Sequence, residues 1–190
     1  MKGLAVSVGE DRVPALYAHA VRLFAAATPV VAAVQGGAIG GGLGLALSAD
    51  FRVASPSSRF AANFARPGIH HGFGITVTLP ATVGMQASLE LLYTGRRVRG
   101  EEAHALGLCD RLAAEEELRG ETYALAREIA SSAPLAVRAI RQTMRGDLSD
   151  RVRAATEHEH TQQAPLFATD DFQEGVRASA ERRTPRFTGG

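Results

Sequence analysis

The stretch PVVAAVQGGAIGGGLGLALSAD, residues 29–50, decides the reading of this chain. Thr28-Pro29 breaks the preceding segment, because a residue before proline is pushed out of the helical region. Val30 to Val34 is a short continuous apolar run, which in an α/β setting predicts a strand buried on both faces. Gln35 to Ile39 leaves that strand. Gly40-Gly41-Gly42 then opens an apolar segment in which Leu43, Leu45, Ala46 and Leu47 predict a buried helix. The first N–H groups of a helix have no intrahelical acceptor and lie at the positive end of its dipole. Glycine lets a ligand approach such backbone closely. The run therefore predicts an oxyanion or anion site at Gly41, flanked by Gly40 and Gly42. The same glycines would also suit a tight helix–strand crossing. A phosphate loop fits poorly, since GGAIGGGLG lacks the lysine and hydroxyl of that motif. Asp50 comes too early to be the ribose-binding acid of a dinucleotide fold.

Working outward, residues 15–27 carry Leu16, Ala20, Leu23 and Phe24 at helical spacing, with His19 on the rim. Residues 1–14 read as an irregular lead-in. On the other side, 51–54 predicts a strand, 55–58 a turn and 60–64 a short extended piece. ARPGIHHGFG, residues 65–74, is too rich in proline and glycine for a regular element, and a loop of that kind in an apolar context is a site candidate. The chain resumes at 75–83. A helix follows from Gly84, a short one from Arg99 that Gly107 stops, and a brief strand within 108–112.

Beyond that the pattern is helical. Leu118, Leu125 and Ile129 mark one helix. Pro134 suits the first position of the next, with Leu135, Val137, Ile140 and Met144 on its inner side. A third covers about 149–162. Asp170 and Gln173 have capping-box spacing before a last helix carrying Phe172 and Val176. RRTPRFTGG is an extended basic end. The expected division is an α/β core over 1–110 and a helical region over 111–190. Only three or four strands are visible, all early, so the chain reads as the later part of a larger α/β unit.

Composition narrows the function. The 190 residues hold 21 Lys+Arg against 20 Asp+Glu, a net charge of +1, which gives no argument for nucleic-acid binding and leaves room for a small local phosphate site. No run is long enough to span a membrane, and a single cysteine, Cys109, fits a reducing compartment such as the cytoplasm and a small core position. No metal site is legible. His70 and His71 are adjacent, and His158 and His160 stand two apart on a helix, so neither pair faces one side. In the 65–74 loop, His70 and His71 are candidate acid–base groups near neutral pH, or else loop histidines that bond the backbone. Asn63 is a candidate to orient a carbonyl or water, or a turn residue.

Read together, these segments resemble the crotonase (enoyl-CoA hydratase/isomerase) family. The resemblance rests on 29–36, 38–54, Phe60, Gly68-Ile69, Gly72-Phe73-Gly74, Leu79-Pro80 and Val83-Gly84. It continues through LYTGR at 92–96, AHALGL at 103–108, FQEGV at 172–176 and ERRTPRF at 181–187. The resemblance implies a spiral of β-β-α units, a helical C-terminal region and assembly into a homotrimer or dimer of trimers. It implies an acyl-CoA ligand, with coenzyme A entering as part of the substrate and no tightly bound cofactor. The thioester oxygen would sit between two backbone N–H groups, the second matching Gly41. Gly40, Gly42, Asn63, Phe64 and Gly72 would contact substrate, and Arg182 and Arg183 the coenzyme A phosphates.

Three departures follow. The family's two hydratase glutamates match Gly44 and Phe64, and an aspartate used by some isomerase-like members matches Gly72. Acid–base duty would then pass to His70 or His71, or to a residue outside the chain. The first oxyanion donor and the adenine-binding loop would lie before Met1, which predicts lower stability than a full family member. The expected function is enolate stabilisation on an acyl-CoA; the alternatives are a non-catalytic acyl-CoA-binding subunit and a hydrolase using histidine.

Overall fold

The computed structural model describes residues 13–190, and side chains from Tyr17 onward. The lead-in expected before residue 13 and the Leu16 side chain lie outside these. Helix α1 (Val13–Phe24) buries Tyr17, Ala20, Val21 and Phe24, an i, i+3, i+4, i+7 stripe. Leu23, expected on that stripe, is exposed, because it lies one residue off it.

Strands β1 (Val31–Val34) and β2 (Gly37–Ile39) lead into helix α2 (Gly41–Ser48). Strands β3 (Phe51–Ala54) and β4 (Arg59–Ala61) follow, then a 3-10 turn (Asn63–Ala65) and the loop to helix α3 (Ile75–Val83). Each β-β-α unit sends its first strand to one sheet and its second to another. Thus β1 and β3 pair in parallel, as do β2 and β4. Helix α4 (Met85–Thr94) leads to strand β5 (Val98–Arg99), helix α5 (Gly100–Ala105) and strand β6 (Arg111–Leu112). The sheets run β1-β3-β6 and β2-β4-β5, only the β4–β5 pair being antiparallel. This is the spiral α/β arrangement anticipated above. Strand β6 falls within the brief strand expected over 108–112, whereas β5, a two-residue piece too short to show periodicity, was not expected.

Two expectations about β1 and β2 need correction. Gly37–Ile39, read as chain leaving a strand, is itself a strand; three residues beginning with glycine carry no alternation. And β1 is not buried on both faces: Ala33 is exposed, Val31 and Ala32 are only partly buried, and Val30 just before the strand is exposed. Among the described residues it pairs with β3 alone, so it is an edge strand.

The main core joins both sheets to α2, α3 and α4 through Leu43, Leu47, Phe60, Ile75, Leu79 and Leu91. Each such side chain contributes about 1.5–3 kcal/mol by leaving water. Cys109 lies in the same core. Leu45 is the exception in α2, exposed where an apolar helix was expected to be buried.

Helix α6 (Leu118–Ala130) packs Leu118 and Leu125 beside Val53. Helix α7 (Pro134–Arg145) begins on proline as expected, but its apolar side does not face inward: Leu135, Ile140 and Met144 are 77%, 63% and 74% exposed. Arg141 and Arg145, one turn apart, both grip the Asp50 carboxylate, at 3.0 and 2.7 Å, so the arginine side of the helix rather than the side of Ile140 and Met144 is held against the body of the fold.

Helix α8 (Leu148–Leu166) crosses α1 and α3. Helix α9 (Asp170–Glu181) is capped by Thr169, whose hydroxyl accepts from the Phe172 N–H at 3.1 Å. Asp170 is therefore inside the helix, and the expected capping box with Gln173 does not form. Val176 is exposed. The tail is extended, as expected, and folds back so that Asp171 accepts from the Thr188 and Gly189 N–H groups. Among the described residues no helix is long and apolar enough to cross a membrane.

Candidate active site

The glycine turn is built around Gly40. Its φ of 55° and ψ of −119° suit glycine alone. Its N–H donates to Ala61 O at 2.9 Å, tying the turn to β4, and its carbonyl accepts from the Leu43 and Gly44 N–H groups. A Cβ here would meet Asn63 Oδ1 at 3.3 Å and the Phe64 ring at 3.8 Å, so those two side chains line the turn. Gly41 and Gly42 are exposed, and open space surrounds the place of a Cβ on either. Among the described residues nothing accepts a hydrogen bond from either N–H. Two free donors thus stand at the positive end of α2.

The three positions where the resemblance would put carboxylates hold none, and two have no room for any side chain. A Cβ on Gly44 would lie 2.6 Å from Phe73 Cβ. Phe73 itself has φ 66°, left-handed backbone that a bulky residue adopts only under strain. A Cβ on Gly72 would lie 1.8 Å from the Tyr17 hydroxyl. Phe64 is half-buried, its ring edge-on to His71 at a centroid distance of 6.4 Å. Its ring thus borders both the glycine turn and the histidine pair.

The adjacent histidines do not diverge as expected: His70 and His71 stack at 4.0 Å between ring centroids, with His158 of α8 edge-on to His70 at 6.4 Å. His70 Nδ1 lies 2.8 Å from His71 O; a carbonyl only accepts, so this nitrogen carries the proton. Burial, followed by the neighbouring His70 and His158, lowers the His71 pKa to about 4. The ring is neutral at neutral pH. Its Nε2 lies 2.9 Å from Thr76 Oγ1.

Arg182 ends α9 with left-handed backbone, φ 58°, and its side chain is exposed. Arg183 is bound to Glu174 by both terminal nitrogens and to Glu181 through Nε. Helix α9 reaches the site loop by backbone contact: a Cβ on Gly175 would fall 2.6 Å from Pro67 C. No group of three or more metal-ligating side chains exists among the described residues.

Tyr17, Thr76, Glu159 and Gln163 also belong to this site, although residue type alone does not announce them. Gln163 donates to His70 O at 2.7 Å and accepts from the Tyr17 hydroxyl at 3.0 Å. Glu159 is fully buried and receives hydrogen bonds from the Gly74 and Thr76 N–H groups and the Thr76 hydroxyl. A carboxylate and an amide at i, i+4 on α8 were the available signal, since both fall on one helix face.

Comparison with known proteins bears on this geometry. Residues 9–190 match the family model for enoyl-CoA hydratase/isomerase. A probable enoyl-CoA hydratase of Mycobacterium tuberculosis is 39% identical over 171 residues, which is 84% of this chain and 57% of that protein. The human enoyl-CoA hydratase domain-containing protein 2, mitochondrial, is 38% identical over 165 residues, 85% of this chain and 56% of its own length. The chain thus spans little more than half the length of these relatives. Among solved structures, an enoyl-CoA hydratase of Mycobacterium avium subsp. paratuberculosis K-10 superposes with a TM-score of 0.84 at 28% identity, covering 93% of this chain and 73% of that one.

Proposed function

Since the chain belongs to the enoyl-CoA hydratase/isomerase family, we propose that it acts on an acyl-CoA thioester by stabilising the enolate-like anion of that thioester at the start of α2. The observation that carries this is the pair of unpartnered, open N–H groups on Gly41 and Gly42. Donors fixed before the reaction and aimed at developing charge lower a barrier without reorganisation. Gly41 supplies one donor. His71, neutral and close behind Phe64, takes the acid–base duty that Gly44, Phe64 and Gly72 cannot perform. Coenzyme A enters as part of the substrate, with Arg182, its side chain free of ion pairs among the described residues, the better placed of the two terminal arginines to meet its phosphates.

Assembly into a homotrimer or dimer of trimers is part of the same reading; the outward apolar stripe of α7 supports it. The buried free thiol of Cys109 suits a reducing compartment such as the cytoplasm.

Binding without turnover is the second reading. Phe73 against Gly44 and the Tyr17 hydroxyl against Gly72 favour it, because they close two carboxylate positions. Calorimetric titration with butyryl-CoA and with free coenzyme A tests the proposal: the thioester binds more tightly. Equal affinity for both, or none for either, refutes a thioester site. Exchange of the thioester α-proton into deuterated water separates turnover chemistry from binding alone.

A further inference from the structure

Helix α8 holds the histidine pair from behind at two points one turn apart. Gln163 donates to the His70 carbonyl at 2.7 Å. Glu159 reaches the His71 ring through Thr76. Glu159 Oε2 accepts from the Gly74 N–H at 2.8 Å, and Oε1 accepts from the Thr76 N–H at 3.0 Å and lies 2.6 Å from Thr76 Oγ1. Thr76 Oγ1 in turn lies 2.9 Å from His71 Nε2.

The donors in this chain can be counted. Three N–H or O–H groups converge on Glu159, so its oxygens act as acceptors. The Thr76 hydroxyl has one proton, and it is given to Glu159 Oε1. Toward His71 the hydroxyl can then only accept. His71 Nε2 must carry the ring proton, and Nδ1 is left with its lone pair.

We propose that Glu159, acting through the Thr76 hydroxyl, fixes His71 in the Nε2–H tautomer and so presents Nδ1 as the base of this site. The proposal rests on the reading that His71 serves as the acid–base group. Glu159 and Thr76 are positioning residues. In the step they prepare, the α-C–H bond of the thioester breaks and its electron pair enters the enolate, whose oxygen the free α2 donors receive. The proton goes to His71 Nδ1. The resulting imidazolium keeps its Nε2–H on Thr76 Oγ1, with the Glu159 Oε1 charge 4.0 Å from Nε2. A buried carboxylate stabilises the cation as it forms, and the proton returns from Nδ1 to carbon in the reverse or isomerising step.

Imidazole 15N NMR of the full chain at pH 7.5 tests this without any substrate, with His71→Gln identifying the signal. The wild-type ring shows a protonated Nε2 and an unprotonated Nδ1. Thr76→Val, which keeps the shape and the backbone bond to Glu159, shifts the tautomer ratio about fivefold or more toward Nδ1–H, the range one lost hydrogen bond supports. Thr76→Ser restores it. A wild-type ring protonated at Nδ1, or a ratio unmoved by Thr76→Val, overturns the proposal. A correct tautomer in a chain that binds no thioester leaves this geometry standing and refutes the functional reading instead.

Discussion

The Phe73 side chain fills the space that any side chain at residue 44 would need: a Cβ on Gly44 would lie 2.6 Å from Phe73 Cβ and 2.7 Å from its ring. Restoring the family's glutamate at that position therefore does not restore a hydratase. Gly44→Ala already overpacks the contact and lowers stability by about 1–3 kcal/mol. Phe73→Gly removes the ring and relieves the left-handed backbone at residue 73. In the double variant the penalty of Gly44→Ala is smaller than in the wild-type background, because the two residues share one volume. Denaturant unfolding of the four proteins checks this; additive losses would contradict it.

The His71 imidazole gives stability a pH dependence. Its pKa falls from 6.5 to about 4 on folding, owing first to burial and then to His70 and His158. Between those values the unfolded chain binds the extra proton, so stability rises with pH. The stabilisation is complete above about pH 6.5 and is lost as pH falls toward 4. The groups facing the ring are His70, His158, Thr76 and Glu159. Thermal unfolding from pH 4 to 7.5 follows the slope, and His71→Gln flattens it.

Asp50 holds α7 to the body of the fold, accepting from Arg141, Arg145 and the Val30 N–H. The carboxylate and Arg141 are each only 9% exposed. Asp50→Ala leaves two arginines facing one another without their anion and costs about 3–5 kcal/mol. Increased proteolysis between α6 and α7 in the variant, read by mass spectrometry, locates the loss.

Ile140 and Met144, one turn apart, present exposed apolar side chains on one face of α7. If α7 is the association surface of the proposed assembly, sedimentation of the wild-type chain is expected to show concentration-dependent self-association. Ile140→Glu with Met144→Glu is expected to give a monomer with an unchanged melting temperature, since neither side chain is buried in the single chain. A variant that still associates removes α7 from the interface.

The legible parts of the sequence were those set by local chemistry. Glycine at 40 and 74 announced turns because their positive φ has few other solutions, and Pro134 announced the start of α7 by the hydrogen it lacks. The apolar direction of α7 was not legible. It depends on Asp50, which lies 91 residues before Arg141, outweighing the helix's own periodicity. At the site, the glycine turn and both histidines were visible as residue types in a loop. Glu159 and Thr76 were not, because 83 residues separate them and only the packing of α8 on α3 brings them together.

The central claim is that the Gly41 N–H polarises a thioester carbonyl, and replacing that one hydrogen tests it. Gly41 is the first residue of α2, where proline is tolerated and nothing lies within 4 Å of a Cβ. Gly41→Ala keeps the N–H and Gly41→Pro removes it. Isotope-edited infrared spectra of 13C=O butyryl-CoA bound to each protein read the carbonyl directly. The carbonyl stretch is expected to be lowered in wild type and Gly41→Ala, and returned toward its value in water in Gly41→Pro, with affinity at least about tenfold weaker for a lost hydrogen bond to developing charge. The same lowered stretch in all three proteins would contradict it.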